Sequence, residues 1–279
     1  MINVMLPSGD IKQFEDKVNM FDVAKSISNS LAKKAIGARV DGKLVDMTFV
    51  LENDAKVELV TPETEDGLEI IRHSTAHLMA QAVIRLFPDT KVTIGPSIEN
   101  GFYYDFDPVN QFSEDDLVKI EEEMKKIAKE DIRIVRHEIT REEAIEKFKG
   151  MGENYKVEII ESIPAGEILS LYEQGEFIDL CRGPHVPSTR YLKAFKLSKV
   201  AGAYWRGDSK NKMLQRIYGY AFAEERELKE FLIQMEEAEK RDHRKLGKEL
   251  ELFFMSDYGP GFPFFLPKGM ELKNTLMRL

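Results

Sequence analysis

The sequence predicts an α+β protein assembled from several small domains, and three observations carry that prediction. At 279 residues the chain exceeds the usual extent of one hydrophobic core. Segments that alternate apolar and polar residues, as half-buried strands do, are interleaved with segments of helical spacing. The composition also changes at two places, a polar turn-forming stretch at 61–67 and the end of a charged run near residue 249.

Residues 1–61 read as one module. Ile2, Val4 and Leu6 alternate, Pro7-Ser8-Gly9-Asp10 turns the chain, and Ile11–Phe14 returns as a hairpin partner. Phe21, Ala24, Ile27 and Leu31 give residues 19–34 a helical period. Short strands are expected at 38–40 and 57–60, with Asp41-Gly42 as a hairpin turn. The order ββαββ is that of a β-grasp, ubiquitin-like unit. A second domain, 62–223, opens with a helix over 67–87 whose apolar stripe is Leu68, Ile71, Leu78, Ala82 and Leu86. Residues 92–106 read as strands interrupted at Gly95-Pro96 and Asn100-Gly101. Ser113 with Asp116, and Thr140 with Glu143, are capping boxes that start two helices, the second stopping at Gly150. Strands are expected at 157–160 and Phe177–Leu180, the latter delivering Asp179 and Cys181 to a strand end. Residues 224–242 begin a densely charged helix with the narrow apolar stripe Leu228, Phe231, Leu232 and Met235, suited to linking domains. From 243 to 279 the chain turns strongly apolar over too few residues to close a core, as the incomplete beginning of a further domain would.

Composition excludes several classes. A single cysteine rules out an internal disulfide framework and fits a reducing cytoplasm. The N-terminus has no basic region followed by an apolar run, and nothing approaches the roughly 18 apolar residues of a membrane span. A soluble cytoplasmic protein with no membrane partner is expected. The net charge of −9 opposes a nucleic-acid partner in bulk, but residues 190–216 carry eight Lys or Arg against one Asp. Lys199, Arg206 and Lys210 are the candidate phosphate contacts there. Tyr191, Phe195, Tyr204 and Trp205 lie in the same stretch, either as stacking platforms for bases or as the core of a β-meander.

Two motifs carry the chemistry. His73-Ser74-Thr75-Ala76-His77 places two imidazoles one turn apart on a helix face, and Cys181-Arg182-Gly183-Pro184-His185 folds a thiol and an imidazole together through a turn. Isolated histidines are usually structural, but three of the five histidines and the only cysteine share one spacing, which predicts a common site. Four such groups either hold a tetrahedral zinc or bind and deprotonate a water. His137 and His243 have no partner motif and are read as ordinary surface histidines.

Together these landmarks resemble the N-terminal part of a bacterial-type threonyl-tRNA synthetase, over the whole chain. Residues 1–61 resemble its TGS domain. Residues 62–223 resemble its editing domain, of the type shared with alanyl-tRNA synthetases, through HSTAHLMAQAV, GPSIENGFYYDF, NYK at 154–156 and DLCRGPHVPST. Residues 243–279 resemble the entry to its class II catalytic domain. The resemblance implies hydrolysis of serine mistakenly attached to threonine tRNA. In that reading His73 and Lys156 act on the attacking water, while His77, Cys181 and His185 complete the catalytic pocket. Asp179 receives the serine ammonium and Tyr104 offers its hydroxyl to serine or ribose. No cofactor is required in this portion, zinc on the His73, His77, Cys181 and His185 quartet being the alternative. ATP, magnesium, a threonine-recognising zinc and homodimerisation are expected of the full-length ligase, with this portion monomeric. A reading from another class is a TGS-led regulatory module that binds RNA or a partner, with the quartet as a structural zinc knot; Lys156 and Asp179 beside the quartet argue against it.

Overall fold

The computed structural model describes residues 1–278. In the first module, Ile2–Met5 and Ile11–Phe14 form the expected hairpin, and Ile2–Met5 also runs parallel to Ala55–Val60 with Val4 opposite Ala55. The five-stranded sheet is ordered Ile11–Phe14, Ile2–Met5, Ala55–Val60, Gly37–Val40, Lys43–Val45, the β-grasp arrangement. Its helical segment is two helices, Met20–Ile27 and Asn29–Lys34, rather than one. Ser28 separates them because its backbone is extended and its hydroxyl accepts from the Leu31 N–H at 3.0 Å. Val4, Val23, Ala24, Ala38 and Val57 fill the core beneath.

Thr64 caps the next helix, Glu65–Leu86, its hydroxyl accepting from the Gly67 N–H at 3.0 Å. From Ser74 to Val83 every residue of this helix is buried, so it is a central rather than an amphipathic element. It packs with Glu114–Lys129 against a sheet of Ala194–Tyr204, Met213–Phe222, Gly101–Asp107 and Lys91–Val92. Both capping boxes form. The stretch 61–64 is a turn that leads directly into the helix at Glu65, and it is not a gap in packing. Ile36 and Val60 share one core with Ile70, and a Cβ on Gly37 would lie 2.7 Å from Ile70 Cδ1. Residues 1–228 therefore form one compact unit.

A second, three-stranded sheet joins Ile134–Ile139, Leu169–Gln174 and Phe177–Leu180. The strand expected at 157–160 is instead part of a helix, Asn154–Ser162. Its run of Val157, Ile159 and Ile160 suggests a strand by residue type, but burial follows the helical step: Lys156, Val157 and Ile160 face inward. Val157 and Ile160 pack with Ala144 and Phe148 against Leu169 and Leu171, and that contact overrides local propensity.

The remaining residues, from 229, form a unit of their own. The charged helix ends at Lys240, and Asp242 caps a separate helix, His243–Glu249, accepting from the Arg244 N–H at 2.7 Å. Phe253–Met255 pairs antiparallel with Pro263–Phe265, the rings of Phe254 and Phe264 stacking at 5.4 Å, ahead of Pro267–Leu276. Among the described residues no helix is long and apolar enough to cross a membrane.

Candidate active site

The buried helix Glu65–Leu86 presents His73 and His77 toward the loop that follows the strand Phe177–Leu180, where Cys181 and His185 sit. His73 Nε2 lies 2.7 Å from Cys181 Sγ, and His185 Nε2 lies 3.4 Å from the same sulfur. The three imidazole centroids are 4.3 to 5.0 Å apart. One ligating atom from each of the four side chains falls within 4.8 Å of the others.

Neighbours fix each ring. Ser74 Oγ stands 3.0 Å from His185 Nδ1, which leaves Nε2 to face the sulfur, and its hydroxyl also accepts from the Val186 N–H. His73 makes a hydrogen bond to the Gly95 backbone. Gly95 has no room for a side chain, since a Cβ there would lie 2.1 Å from the Tyr104 ring. Gly183, at φ +68°, donates its N–H to Cys181 Sγ at 3.2 Å. Sequence reasoning found the quartet but not Ser74 or Gly95. Ser74 lies inside the first motif, and Gly95-Pro96 reads in the sequence only as a break between strands.

A buried polar network lies behind the quartet. Lys156, 2 % exposed, pairs with Oδ1 of Asp179, 1 % exposed. Tyr104 donates its hydroxyl proton to Asp179 Oδ2 at 2.6 Å and accepts from Lys156 Nζ at 3.0 Å. His77 Nε2 is 3.5 Å from Asp179 Oδ2. That contact joins two charges only if His77 is protonated, and burial drives the His77 pKa well below 6.5, so we take His77 as neutral. Burial lowers His73 and His185 in the same direction, and it pushes the Cys181 thiol up to about 12. The quartet is thus three neutral imidazoles around an un-ionised thiol.

Only part of this reaches solvent. A cleft of about 220 Å³ is lined by His73 and Cys181 together with Leu44, Glu69, Ser97 and Arg182. His77, His185, Lys156, Asp179 and Tyr104 lie beneath it. The Asp179 carboxylate is held by the chain's own Lys156, so a substrate ammonium meets it only by displacing that lysine. A larger groove, about 860 Å³, lies elsewhere and is lined by Lys196, Lys199, Val118 and Met213. Size alone does not mark the chemistry, since that groove contains none of the quartet.

The proposed phosphate contacts are separate from the cleft. Lys199, Arg206 and Lys210 are all exposed, but Arg206 is already paired with Glu158 at 3.2 Å. Phe195 and Trp205 are core residues, 4 % and 7 % exposed, with Trp205 against Tyr155 and its indole N–H donating to Glu158. Tyr191 donates to the Lys33 carbonyl, and only Tyr204 stands out at 41 % exposure. The β-meander reading therefore holds for Phe195 and Trp205. His137 lies at the surface beside Glu173.

The donor set fits a zinc ion. Three nitrogens and one sulfur are close enough to share a metal, and the Ser74 and Gly95 contacts orient two of the rings as outer partners of metal ligands do. A cation would reverse the upward shift of the thiol.

Comparisons with known proteins agree with this picture. Residues 2–61 match the TGS domain family, and residues 169–218 match the family described as threonyl and alanyl tRNA synthetase second additional domain. The chain is 68 % identical to a threonine–tRNA ligase of Fusobacterium nucleatum over 261 residues, covering 93 % of this chain and 42 % of that protein. It is 56 % identical to the threonine–tRNA ligase of Clostridioides difficile over 278 residues, 100 % of this chain and 44 % of the relative. The ligase of Laribacter hongkongensis is 59 % identical over 269 residues, 96 % and 42 % respectively. The chain thus spans less than half the length of these relatives.

Proposed function

We propose that this chain, which belongs with the threonine–tRNA ligases along its matched length, is the part that removes serine wrongly attached to threonine tRNA. The observation that carries the reading is the half-open quartet: His73 and Cys181 line a cleft while the charged groups stay buried behind them. Serine and threonine differ by one methyl group, worth only about 1–3 kcal/mol of discrimination in a pocket, so a second, hydrolytic site is needed. Identity to the ligases over nearly the whole chain favours this over a regulatory module.

The reaction is cleavage of the ester between serine and the terminal ribose. His73, kept neutral because desolvation lowers its pKa, accepts a proton from water at Nε2 once the Cys181 S–H turns away from that nitrogen. The water oxygen adds to the ester carbonyl carbon. The resulting tetrahedral intermediate expels the ribose oxygen, which recovers the proton from His73, leaving serine and free tRNA. The serine ammonium competes with Lys156 for Asp179, and the displaced Lys156 is then free to act on the water or the serine hydroxyl. Tyr104 holds Asp179 in place meanwhile. His77, Cys181 and His185 confine the water.

Zinc held by His73, His77, Cys181 and His185 together would supply a closed structural centre with no open position for water. The hydrolysis proposed here uses no metal. Attachment of threonine with ATP and magnesium, recognition of threonine by a zinc, and dimerisation belong, in this reading, to the longer protein. Incubating the chain with seryl- and threonyl-charged threonine tRNA tests the proposal: selective release of serine is expected, and equal release of both, or neither, overturns it.

A further inference from the structure

We infer that Trp205, at the tip of the hairpin formed by Ala194–Tyr204 and Met213–Phe222, is a positioning residue of the hydrolytic site: through Tyr155 and Glu158 it holds in place the helix that carries Lys156. This rests on the hydrolysis proposed above, in which Lys156 leaves Asp179 and acts on the water or the serine hydroxyl.

The helix Asn154–Ser162 has few means of fixing itself. It is nine residues long, below the roughly 12–15 at which an isolated helix is marginal in water, and no side chain caps its start. Glu153, at the capping position, instead accepts from the Val92 N–H at 3.2 Å. Neighbouring elements therefore decide where the helix lies. On its inner face Val157 and Ile160 enter the core, and Lys156 reaches the Tyr104 hydroxyl at 3.0 Å and the Asp179 carboxylate. Tyr155 and Glu158, three residues apart, share the outer face, and Trp205 contacts both. Its ring meets the Tyr155 ring edge-on at 5.0 Å, and its indole N–H donates to the two Glu158 carboxylate oxygens at 3.2 and 3.1 Å. The Tyr155 hydroxyl donates to Asp107 Oδ2 at 2.9 Å, which ties the same turn of helix to the strand that bears Tyr104.

The hairpin tip is itself held. The Trp205 N–H donates to the Lys212 carbonyl at 3.0 Å, the Asn211 amide donates to the Trp205 carbonyl at 3.0 Å, and Lys212 pairs with Asp107 at 2.7 Å. Arg206 has a left-handed backbone, φ +54°, which a residue with a side chain keeps only where its surroundings impose it. Trp205 does not line the cleft, so its effect on the reaction runs through Lys156. A misplacement of about 1 Å in a reacting group can cost on the order of 100-fold in rate.

The test compares Trp205→Ala, Trp205→Phe, Glu158→Ala and Glu158→Gln in the complete 279-residue chain. Three quantities are measured: kcat and KM for release of serine from seryl-charged threonine tRNA, the rate at which acetic anhydride acetylates Lys156, followed by peptide mass spectrometry, and the rate at which iodoacetamide alkylates Cys181. Trp205→Ala and Glu158→Ala are expected to lower kcat roughly 10–100-fold, the scale on which outer partners of a site act. KM should not rise, because a loosened Lys156 competes less with the serine ammonium for Asp179. Acetylation of Lys156, 2 % exposed in the intact fold, should speed up about tenfold while Cys181 alkylation stays within about twofold. Glu158→Gln keeps an acceptor for the indole N–H and should recover most of both effects. Trp205→Phe keeps the ring against Tyr155 without the N–H and should fall between. If the unaltered chain releases serine and either kcat or Lys156 acetylation in Trp205→Ala stays within about twofold, the inference is wrong. It is also wrong if Cys181 alkylation rises along with Lys156 acetylation and Glu158→Gln behaves as Glu158→Ala does, since the fold as a whole has then loosened. If the unaltered chain releases no serine, the hydrolytic reading fails, and the two labelling rates alone decide whether Trp205 positions Lys156.

Discussion

His73 Nε2 and Cys181 Sγ meet at 2.7 Å across 108 residues of chain, and they are the two members of the quartet that line the cleft. Removing the imidazole removes the proposed proton acceptor without touching the basic surface. His73→Ala should therefore abolish release of serine from charged tRNA while leaving tRNA affinity within about twofold, because no phosphate contact is lost. Paired deacylation and filter-binding assays read this out. Full activity in the variant would remove His73 from the mechanism.

The direction of the histidine shifts fixes the pH behaviour. His73 acts as a base only when neutral, and its pKa is below 6.5. The hydrolysis rate should be flat above pH 6.5 and decline only at lower pH. Stability should follow the same sign. His73, His77 and His185 have folded pKa values below the unfolded 6.5, so their contribution is present above 6.5 and lost as pH falls toward the folded values. The urea midpoint should drop between pH 7.5 and 5.5, values chosen roughly one unit either side of the ordinary histidine pKa. His77→Gln should shrink that drop. An inflection in rate at or above 6.5 would contradict the assignment of a buried neutral base.

Metal and thiol chemistry give a third check. Burial holds the Cys181 thiol up to about 12, against 9.0 for an ordinary thiol. In the folded chain alkylation should accelerate only as pH approaches that value, whereas in urea it should titrate near 9. A chelator should leave serine release unchanged, and added zinc should suppress it by engaging His73. Loss of activity on chelation, restored by zinc, would replace the metal-free mechanism.

Binding should separate from cleavage. Neutralising Lys199, Arg206 and Lys210 together should weaken tRNA affinity while bound tRNA is still deacylated. The slope of log affinity against log salt should shrink by about 2, each phosphate contact accounting for about 1. Arg206 should add little, because Glu158 already neutralises it. Affinity titrations at several salt concentrations measure the slope, and an unchanged slope would clear this face of phosphate contacts.

Local chemistry made much of this molecule readable before its fold was known. Ser113 and Thr140 announce helix starts because the side chains that satisfy the free N–H groups lie three residues away, within the reach of sequence inspection. The quartet is legible for the same reason, each half being a short motif. Residues 157–160 resemble a strand by residue type and Glu153 provides no side-chain cap; packing against Phe148 makes them part of the helix Asn154–Ser162. The contact of Trp205 with Glu158 leaves no trace in the sequence, since partners 47 residues apart form no motif.

The core that joins Ile36 and Val60 to Ile70 also has a temporal side. A nascent chain delivers the N-terminal sheet first, with the surface around Ile36 and Gly37 uncovered until the following helix arrives. Ten residues separate Val60 from Ile70, about a second of synthesis at ribosomal speed. The sheet therefore waits only briefly beside its cover. A released chain ending just past Val60 should expose a sticky half-product, whereas one extending beyond the histidine helix should not.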